Sequence, residues 1–341
     1  MEILNHSSYI RRKDMDSVLN CLVTDKLDPG EYSDKFIKTA KERLLFDYGT
    51  SIRNPIIALQ LAMECLALGP GDKIAMSALS PDWAFKAVAT KAVLPLWLDV
   101  DIYNASVNAA SIEKIRSEGA KAVYLAEPWG IMPDPSLFSD LGLPVIEDNS
   151  FSLGTKSGDI MAGSIGTFCL VALEPGCAIT AGGGALLYAS AKRDAHALRN
   201  AADSLLPEER MSDMNSALAL TQLKDLDKFL AKRKELTELY IQSAARGHKK
   251  LLASGNEEDS CYFGCVVVFD SGTKEAMAYA KKKGVNSSMA FEDSCAARGF
   301  VAEGLCPNAA SLVNRAVSFP LNQRIGNAAA QKIARVLASL P

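Results

Sequence analysis

The apolar residues of this chain recur at helical spacing in some segments and form short continuous runs in others. From residue 55 to 68 they recur every three or four positions, which predicts an amphipathic helix that ends at the turn-forming residues 69–72. Further helices are predicted at 82–91, 111–118, 191–202 and, as one long helix, 214–240. Short apolar runs predict strands at 73–76, 95–100, 122–126, 143–146 and 185–188.

Strands that alternate with helices predict an α/β fold, in which a mainly parallel sheet is covered by helices on both faces. After residue 240, an apolar strand at 261–269 and helices at 274–283 and 326–340 predict a smaller α+β domain. We therefore expect a large domain over residues 1–240 and a small C-terminal domain over residues 241–341. Residues 1–40 are polar and of mixed charge, and we expect them to form a short helix and an arm.

Composition excludes several classes of protein. The chain has 341 residues, of which 48% are hydrophobic and 23% charged, as in ordinary globular proteins. A net charge of −3 and a pI of about 5.8 argue against nucleic acid or an anionic membrane as partner. No apolar run is long enough to cross a bilayer, and the first residues lack the apolar core of a signal peptide. We expect a cytoplasmic protein.

The cysteine pattern does not predict a metal site. Eight cysteines are present, and Cys261 and Cys265 are separated by three residues inside an apolar run. No second cysteine pair and no histidine pair accompanies them, as a zinc site would require. We expect reduced, mostly buried thiols in a reducing compartment and no bound metal.

Several segments, taken in order and spacing, resemble one enzyme family over residues 43–340. They include Pro144-Val-Ile-Glu-Asp148, Gly163-Ser-Ile-Gly-Thr-Phe168 and Ala219-Leu-Thr-Gln-Leu223. They resemble the DegT/DnrJ/EryC1/StrS family, which contains the sugar aminotransferases that depend on pyridoxal phosphate (PLP). The resemblance implies a fold-type I PLP-transferase-like architecture, a homodimer with sites at the interface and a nucleotide-sugar ligand.

The residue that defines the family's chemistry is missing. In the family, a lysine in the segment after Phe168 forms the Schiff base with PLP, and the matching residue here is Glu174. No lysine occurs between Lys156 and Lys192. A glutamate can move protons but cannot form an imine.

The resemblance assigns roles to other positions around the cofactor. Asp148 matches the carboxylate that faces the pyridine nitrogen, and Trp83 matches the ring that stacks on the cofactor. Phe151 replaces a glutamine near the PLP hydroxyl, and Cys169 replaces a serine. Without the resemblance, Asp148 can equally cap the following turn and Trp83 can be a packing residue.

The positions that would hold the phosphate also differ from the family pattern. Asn54, Pro55 and Ile56 match the residues that cradle the phosphate, and Pro55 has no N–H to donate. Glu208 matches an asparagine that reaches across from the partner subunit, and its carboxylate would repel a phosphate. Arg210 is a candidate substrate residue, although an interface ion pair explains it equally well.

These substitutions leave four hypotheses. In the first, which we favour, the chain has lost aminotransferase activity and keeps its fold for ligand binding or assembly in nucleotide-sugar metabolism. In the second, it is a lysine-independent, dehydratase-like enzyme that uses PLP or its amine form PMP with Glu174 as the base. In the third, it is an aminotransferase acting on a keto sugar nucleotide, with a lysine supplied from elsewhere. In the fourth, Glu174, Glu208 and Asp148 form an acidic cluster, which favours a cationic ligand or raised pKa values.

Overall fold

The computed structural model describes residues 2–252 and 263–341. Its helices are α1 (Arg12–Val23), α2 (Glu31–Leu44), α3 (Pro55–Cys65), α4 (Asp82–Thr90), α5 (Ala109–Glu118), α6 (Ser136–Ser139), α7 (Lys192–Asp203), α8 (Asp213–Lys224), α9 (Leu226–Arg246), α10 (Thr273–Lys282), α11 (Pro307–Arg315) and α12 (Asn327–Ala338). Short 3₁₀ turns cover Pro128–Gly130 and Pro207–Glu209. The strands are β1 (Tyr48–Ile52), β2 (Lys73–Ser77), β3 (Leu94–Leu98), β4 (Ala122–Ala126), β5 (Val145–Asp148), β6 (Lys156–Ser157), β7 (Ile160–Met161), β8 (Phe168–Ala172), β9 (Ala185–Ala189), β10 (Lys250–Leu251), β11 (Cys265–Val268), β12 (Ser288–Met289) and β13 (Ala316–Phe319).

A seven-stranded sheet forms the centre of the molecule, in the order β1-β9-β8-β5-β4-β2-β3. The strands from β8 to β3 are parallel, and β9 runs antiparallel to both of its neighbours. Helices α3, α4 and α7 contribute to the apolar cluster on one face, and α2 and α8 contribute to the cluster on the other. The predicted mainly parallel sheet with helices on both faces is therefore confirmed.

A second, antiparallel sheet has the order β10-β11-β13-β12. Its apolar face packs against α10, α12 and the second half of α9, which supplies Leu236 and Tyr240 to this core. The domain boundary expected at residue 240 thus falls inside α9. Of the strand predicted at 261–269, the structure describes β11, and Cys261 lies outside the described residues.

The N-terminal prediction was wrong in part. Residues 1–40 do not form one short helix and an arm, because α1 and α2 together occupy most of residues 12–44. Both helices pack against α8. In α1, Met15, Leu19 and Leu22 recur at helical spacing, a pattern that the sequence interpretation did not use. Packing on the distant α8 stabilises both helices.

The long helix predicted at 214–240 is in fact two helices that meet at Asp225, whose φ of −103° and ψ of 11° interrupt the helical path. The carboxylate of Asp225 pairs with Arg11, Lys13 and Lys228. No glycine or proline marks this break, so the sequence carries no signal for it. Within the charged segment 224–234, Arg233 is buried and donates to the Phe263 and Leu321 carbonyl oxygens at 3.1 and 3.2 Å.

Two strands of the large sheet were not predicted. The strand β8 reads Phe-Cys-Leu-Val-Ala and is buried on both faces, so its residues do not alternate between apolar and polar. The strand β1 contains glycine, threonine and serine, which are weak signals for a strand. Each strand forms because the neighbouring β9 offers it backbone partners.

Asp213 fixes the start of α2 from a distance. The helix begins at Gly30, which has no side chain to cap it. The buried Asp213 carboxylate accepts hydrogen bonds from the Gly30 and Ser33 N–H groups at 2.9 Å and from the Tyr32 N–H at 3.0 Å. A negative charge at a helix N-terminus is also favourable, since it opposes the helix dipole.

We expect Asp213→Ala to lower the free energy of unfolding by about 3 kcal/mol, because three N–H groups lose their acceptor. Asp213→Asn keeps one acceptor oxygen and should lose less. Urea denaturation of both variants measures this, with Asp16→Ala on the exposed side of α1 as the control. Equal midpoints for Asp213→Ala and the control would contradict this role.

A buried carboxylate organises the sheet edge where β5 ends. Glu147 is fully buried and accepts hydrogen bonds from the N–H groups of Gly163 at 2.5 Å, Gly166 at 2.7 Å and Ile165 at 2.8 Å. These bonds hold the loop that leads into β8. Gly163 has a φ of +89°, and a Cβ there would lie 2.0 Å from the Tyr188 hydroxyl, so only glycine fits.

Glu127 is buried close to Glu147 and keeps its proton. Glu127 is 1% exposed, and burial together with the charge of Glu147 raises its pKa well above the ordinary value. The Ser152 hydroxyl donates to one Glu127 oxygen, and the other oxygen is buried without a donor that would stabilise its negative charge. One proton therefore resides on Glu127 while Glu147 keeps its charge, which avoids two like charges in contact.

The ordinary pKa of glutamate is about 4.5, so above this pH an unfolded chain releases the proton that the native state retains. The free energy of unfolding should therefore fall as the pH rises above about 4.5. Glu127→Gln keeps a donor towards Glu147 but cannot titrate. We expect this variant to lose less stability between pH 5 and 8 than the wild type, by at least about 1 kcal/mol.

Chemical denaturation at a series of pH values measures this difference. Glu303→Gln makes the same replacement at an exposed position and serves as the control. Parallel pH profiles for the wild type and Glu127→Gln would mean that Glu127 is ionised in the native protein.

Candidate functional site

The candidate site lies where the parallel strands end. The strands β4, β5 and β8 are neighbours and run in the same direction, so the residues after their last positions meet at one edge of the sheet. Glu127 follows β4, Asp148 ends β5, and Glu174 stands two positions after β8. Ligands of α/β sheets bind at this carboxyl edge, and here it is rich in carboxyl groups.

Asp148 is buried and already has three donors. The Tyr124 hydroxyl donates to one of its oxygens at 2.6 Å, and the Ser150 N–H donates to the other at 3.1 Å. The Ser150 hydroxyl also donates to that second oxygen. Burial raises the pKa of Asp148, and these hydrogen bonds act in the opposite direction.

A cavity of about 320 Å³ opens beside Asp148, between the sheet edge and residues 288–294. Its volume is at the lower end of the roughly 300–1,000 Å³ that is typical of small-molecule sites. Much of its wall is aromatic. The rings are those of Trp83, Trp129, Phe151, Phe263 and Phe291.

The polar groups of this cavity are mainly acidic. Its carboxyl groups are those of Asp82, Glu127, Asp148, Glu292 and Asp293. Among the described residues that line it, none is a lysine or an arginine. The basic side chain present is His6, whose ring lies 6.4 Å from that of Trp129 and whose pKa is lowered, chiefly because packing removes water from the ring.

The structure brings three of the expected site residues to the cavity, namely Trp83, Asp148 and Phe151. Trp83 is half-buried and meets the Tyr124 ring edge to face, with 6.2 Å between the ring centres. Because Tyr124 also donates to Asp148, the tryptophan, the tyrosine and the carboxylate form one connected wall.

Asn54 and Ile56 lie at the start of α3 and do not line this cavity. The Asn54 side chain caps the helix by accepting from the Ile57 N–H at 3.0 Å. Pro55 is the first residue of the helix and has no N–H. The first turn of α3 therefore has fewer donors for a ligand than an ordinary helix N-terminus.

Cys169 and Glu174 also lie outside the lining of the cavity. The Cys169 side chain is buried in the cluster on the α2 and α8 face of the sheet, with its Sγ atom 3.0 Å from the Gly163 carbonyl oxygen. Burial raises the pKa of its thiol well above the ordinary value. Glu174 is half-buried, and its carboxylate faces Gly183, at which a Cβ atom would lie 3.9 Å away.

Glu208 and Arg210 belong to a segment beside α7. Glu208 is exposed in a 3₁₀ turn, so the acidic cluster expected from Glu174, Glu208 and Asp148 does not form the wall of this cavity. The Arg210 guanidinium donates to the Ala202 carbonyl oxygen at 3.0 Å, at the end of α7, and more weakly to the Leu205 carbonyl oxygen at 3.4 Å. The guanidinium thus stabilises the C-terminus of α7.

The sequence interpretation missed several residues of the cavity. Glu127 follows a predicted strand, so the strand-end argument that selected Asp148 also applied to it. For His6, Trp129 and Phe263 the sequence carries no comparable signal. His6 and Phe263 reach the cavity because the N-terminal segment and the small domain fold against the large sheet, and Trp129 reaches it from the 3₁₀ turn after β4.

The described residues offer no group of three or more histidine, cysteine, aspartate or glutamate side chains that can hold a metal ion. Seven of the eight cysteines lie in this part of the chain, and all seven are free thiols. Among the same residues no helix is long and apolar enough to cross a membrane.

Known proteins resemble this chain over most of its length. GDP-perosamine synthase of Escherichia coli O157:H7 is 24% identical over 258 residues, which cover 70% of this chain and 71% of that protein. The structure of the aminotransferase TlmJ from Streptoalloteichus hindustanus has a TM-score of 0.89 at 19% identity and covers 99% of this chain and 98% of its own. The E. coli GDP-4-keto-6-deoxy-D-mannose-3-dehydratase, solved with bound hydrated PLP, has a TM-score of 0.86 at 16% identity. The match covers 98% of this chain and 100% of the dehydratase chain.

These similarities confirm the predicted fold-type I architecture. The model of the DegT/DnrJ/EryC1/StrS aminotransferase family matches residues 8–338, which is nearly the whole chain. The chain therefore belongs to the DegT/DnrJ/EryC1/StrS aminotransferase family.

Proposed function

We propose that this family member forms no Schiff base and does not transaminate, and that its fold is retained for ligand binding. The observation that carries the proposal is the segment after β8, which holds Glu174 at the position that we match to the family's lysine. No lysine occurs between Lys156 and Lys192, and none of the described residues lining the cavity is a lysine. A carboxylate cannot form an imine.

The residues at the start of α3 also argue against PLP as a resident cofactor. A phosphate needs N–H donors or cations. Pro55 offers no N–H, and the Ile57 N–H is taken by the Asn54 side chain. Together with the acidic lining of the cavity, these contacts leave little to hold a phosphate, so the site does not fit PLP.

The surroundings of Asp148 support the same proposal. Tyr124 and Ser150 satisfy both of its carboxylate oxygens. An arriving pyridinium would have to compete with these donors for the carboxylate. Asp148 is thus held in a complete hydrogen-bond network within the chain itself.

The names of the relatives support a ligand from the chemistry of sugar nucleotides. A GDP-perosamine synthase is among the proteins that this chain resembles over most of its length. We therefore propose that the chain acts within nucleotide-sugar metabolism by binding or assembly. The alternative is an enzyme that uses PLP or PMP without a lysine and with Glu174 as the base, and a dehydratase solved with bound hydrated PLP is among the similar structures.

The wild-type protein, incubated with PLP and desalted, should keep no chromophore, and borohydride should add no mass to the chain. Glu174→Lys restores an amine at the family position, so PLP in excess should give an adduct at residue 174 that borohydride fixes. Absorbance spectra and peptide mass spectrometry measure both outcomes. Glu208→Lys, which adds a lysine to an exposed turn, is the control for nonspecific modification.

A borohydride-fixed adduct on the wild type would refute the proposal. Retention of PLP or PMP that borohydride cannot fix would instead favour the lysine-independent enzyme. Absence of an adduct at residue 174 in the Glu174→Lys variant would mean that the position after β8 is not equivalent to the family's lysine.

We also propose that the chain forms a homodimer, as its family membership suggests. Helix α1 supports this, since Met15, Leu19 and Leu22 lie on one face and are more than half exposed, at 55%, 55% and 52%. They are spaced by four and three residues, which forms an apolar stripe. Such an exposed stripe is typical of an interface.

Replacing Leu19 and Leu22 together with glutamate should weaken self-association by at least roughly tenfold, because burying the exposed half of each leucine contributes about 1 kcal/mol. Sedimentation velocity over a range of concentrations measures the effect. Tyr103→Glu, at another exposed apolar residue, is the control. A wild-type protein that stays monomeric at all concentrations would contradict the dimer.

A further inference from the structure

We propose that the cavity beside Asp148 binds a small organic ammonium ion. The inference rests on the proposed function, because it requires that PLP does not occupy this edge of the sheet. The inference concerns the chemical class of the ligand, which the absence of a lysine does not by itself define.

The aromatic rings are held in place before any ligand arrives. Trp129 meets Phe291 edge to face at 6.5 Å, and Phe151 meets Phe263 in the same way at 4.7 Å. Trp83 is held against Tyr124. Ring faces of tryptophan and phenylalanine attract cations, and ordered rings lose little entropy on binding. The Arg233 guanidinium already lies over the Phe263 ring, 4.4 Å from its centre, so the inference rests on the other rings.

The charges of the wall favour the same class of ligand. Asp82 and Asp293 at the mouth are paired with Arg298, and Asp82 is also paired with Lys86. Within the described residues, neither Asp148 nor Glu292 forms an ion pair. The oxygens of Asp148 are occupied by Tyr124 and Ser150, so Asp148 attracts a bound cation only through its charge, whereas the exposed Glu292 at the mouth can contact the cation directly.

An anionic ligand is disfavoured for the same reason. The described lining residues supply no lysine or arginine for a phosphate or pyrophosphate. The volume of about 320 Å³ accommodates a ligand of the size of choline or of a monosaccharide. Both a quaternary ammonium such as choline and the primary ammonium of an amino sugar carry the required charge. The two kinds of ligand differ in the number of hydroxyl groups on the molecule.

Isothermal titration calorimetry with two matched pairs of ligands tests the proposal. Choline is compared with 3,3-dimethyl-1-butanol, its uncharged analogue, and glucosamine with glucose. We expect at least one cation to bind about tenfold more tightly than its neutral partner, as one cation–π contact together with a carboxylate would give. The pair with the larger ratio of charged to neutral affinity shows whether the ligand is a quaternary ammonium or an amino sugar.

Two variants locate the binding. Glu292→Gln removes charge at an exposed position and should weaken cation binding about threefold to tenfold, whereas Glu303→Gln, outside the lining residues, should not. Phe151→Leu keeps an apolar side chain but removes a ring face, so it should lower the preference for the cation over its neutral partner.

Equal affinity for the charged and neutral partners in both pairs would overturn the inference, and so would cation binding that Glu292→Gln and Phe151→Leu both leave unchanged. The proposed function fails separately, through a borohydride-fixed adduct on the wild type. A chain that takes neither PLP nor an ammonium ion would keep the proposed function and lose this inference.

Discussion

The structure depends on how three buried carboxyl groups are accommodated at one edge of a parallel sheet. Glu127, Glu147 and Asp148 are each at most 5% exposed, and among the described residues no lysine or arginine pairs with any of them. Glu147 is stabilised by three backbone N–H groups, Asp148 by Tyr124 and Ser150, and Glu127 by keeping its proton. Buried charge is tolerated only when it is satisfied in such ways, and this requirement shapes the loops around the edge.

That requirement also determines what the edge can bind. A family whose enzymes hold an anionic cofactor would need cations and spare N–H groups there, and this chain presents carboxyl groups and aromatic rings. The first turn of α3 also has few donors, because Pro55 has no N–H and the Asn54 side chain accepts from the Ile57 N–H. Both features are unfavourable for an anion.

Distant carboxylates also position whole helices. Asp213 holds the start of α2, and Asp99 accepts hydrogen bonds from the Asn308 and Ala309 N–H groups at the start of α11, at 3.1 and 2.9 Å. Neither helix has a capping side chain of its own. A capping residue that is distant in the sequence leaves no local signal, so the starts of these two helices could not be read from the sequence.

The sequence by itself determined the alternation of helices and strands and, from it, the mainly parallel sheet. It also determined the position of Asp148 at the end of a strand and the absence of a lysine near Glu174. These features depend only on local periodicity and residue type. Only the tertiary structure decided which side chains share the cavity. Trp83 and Phe151 meet His6, Trp129 and Phe291 there, from segments far apart in the chain. The break at Asp225 and the proton on Glu127 likewise depend on partners that folding brings together, and no local pattern encodes such contacts.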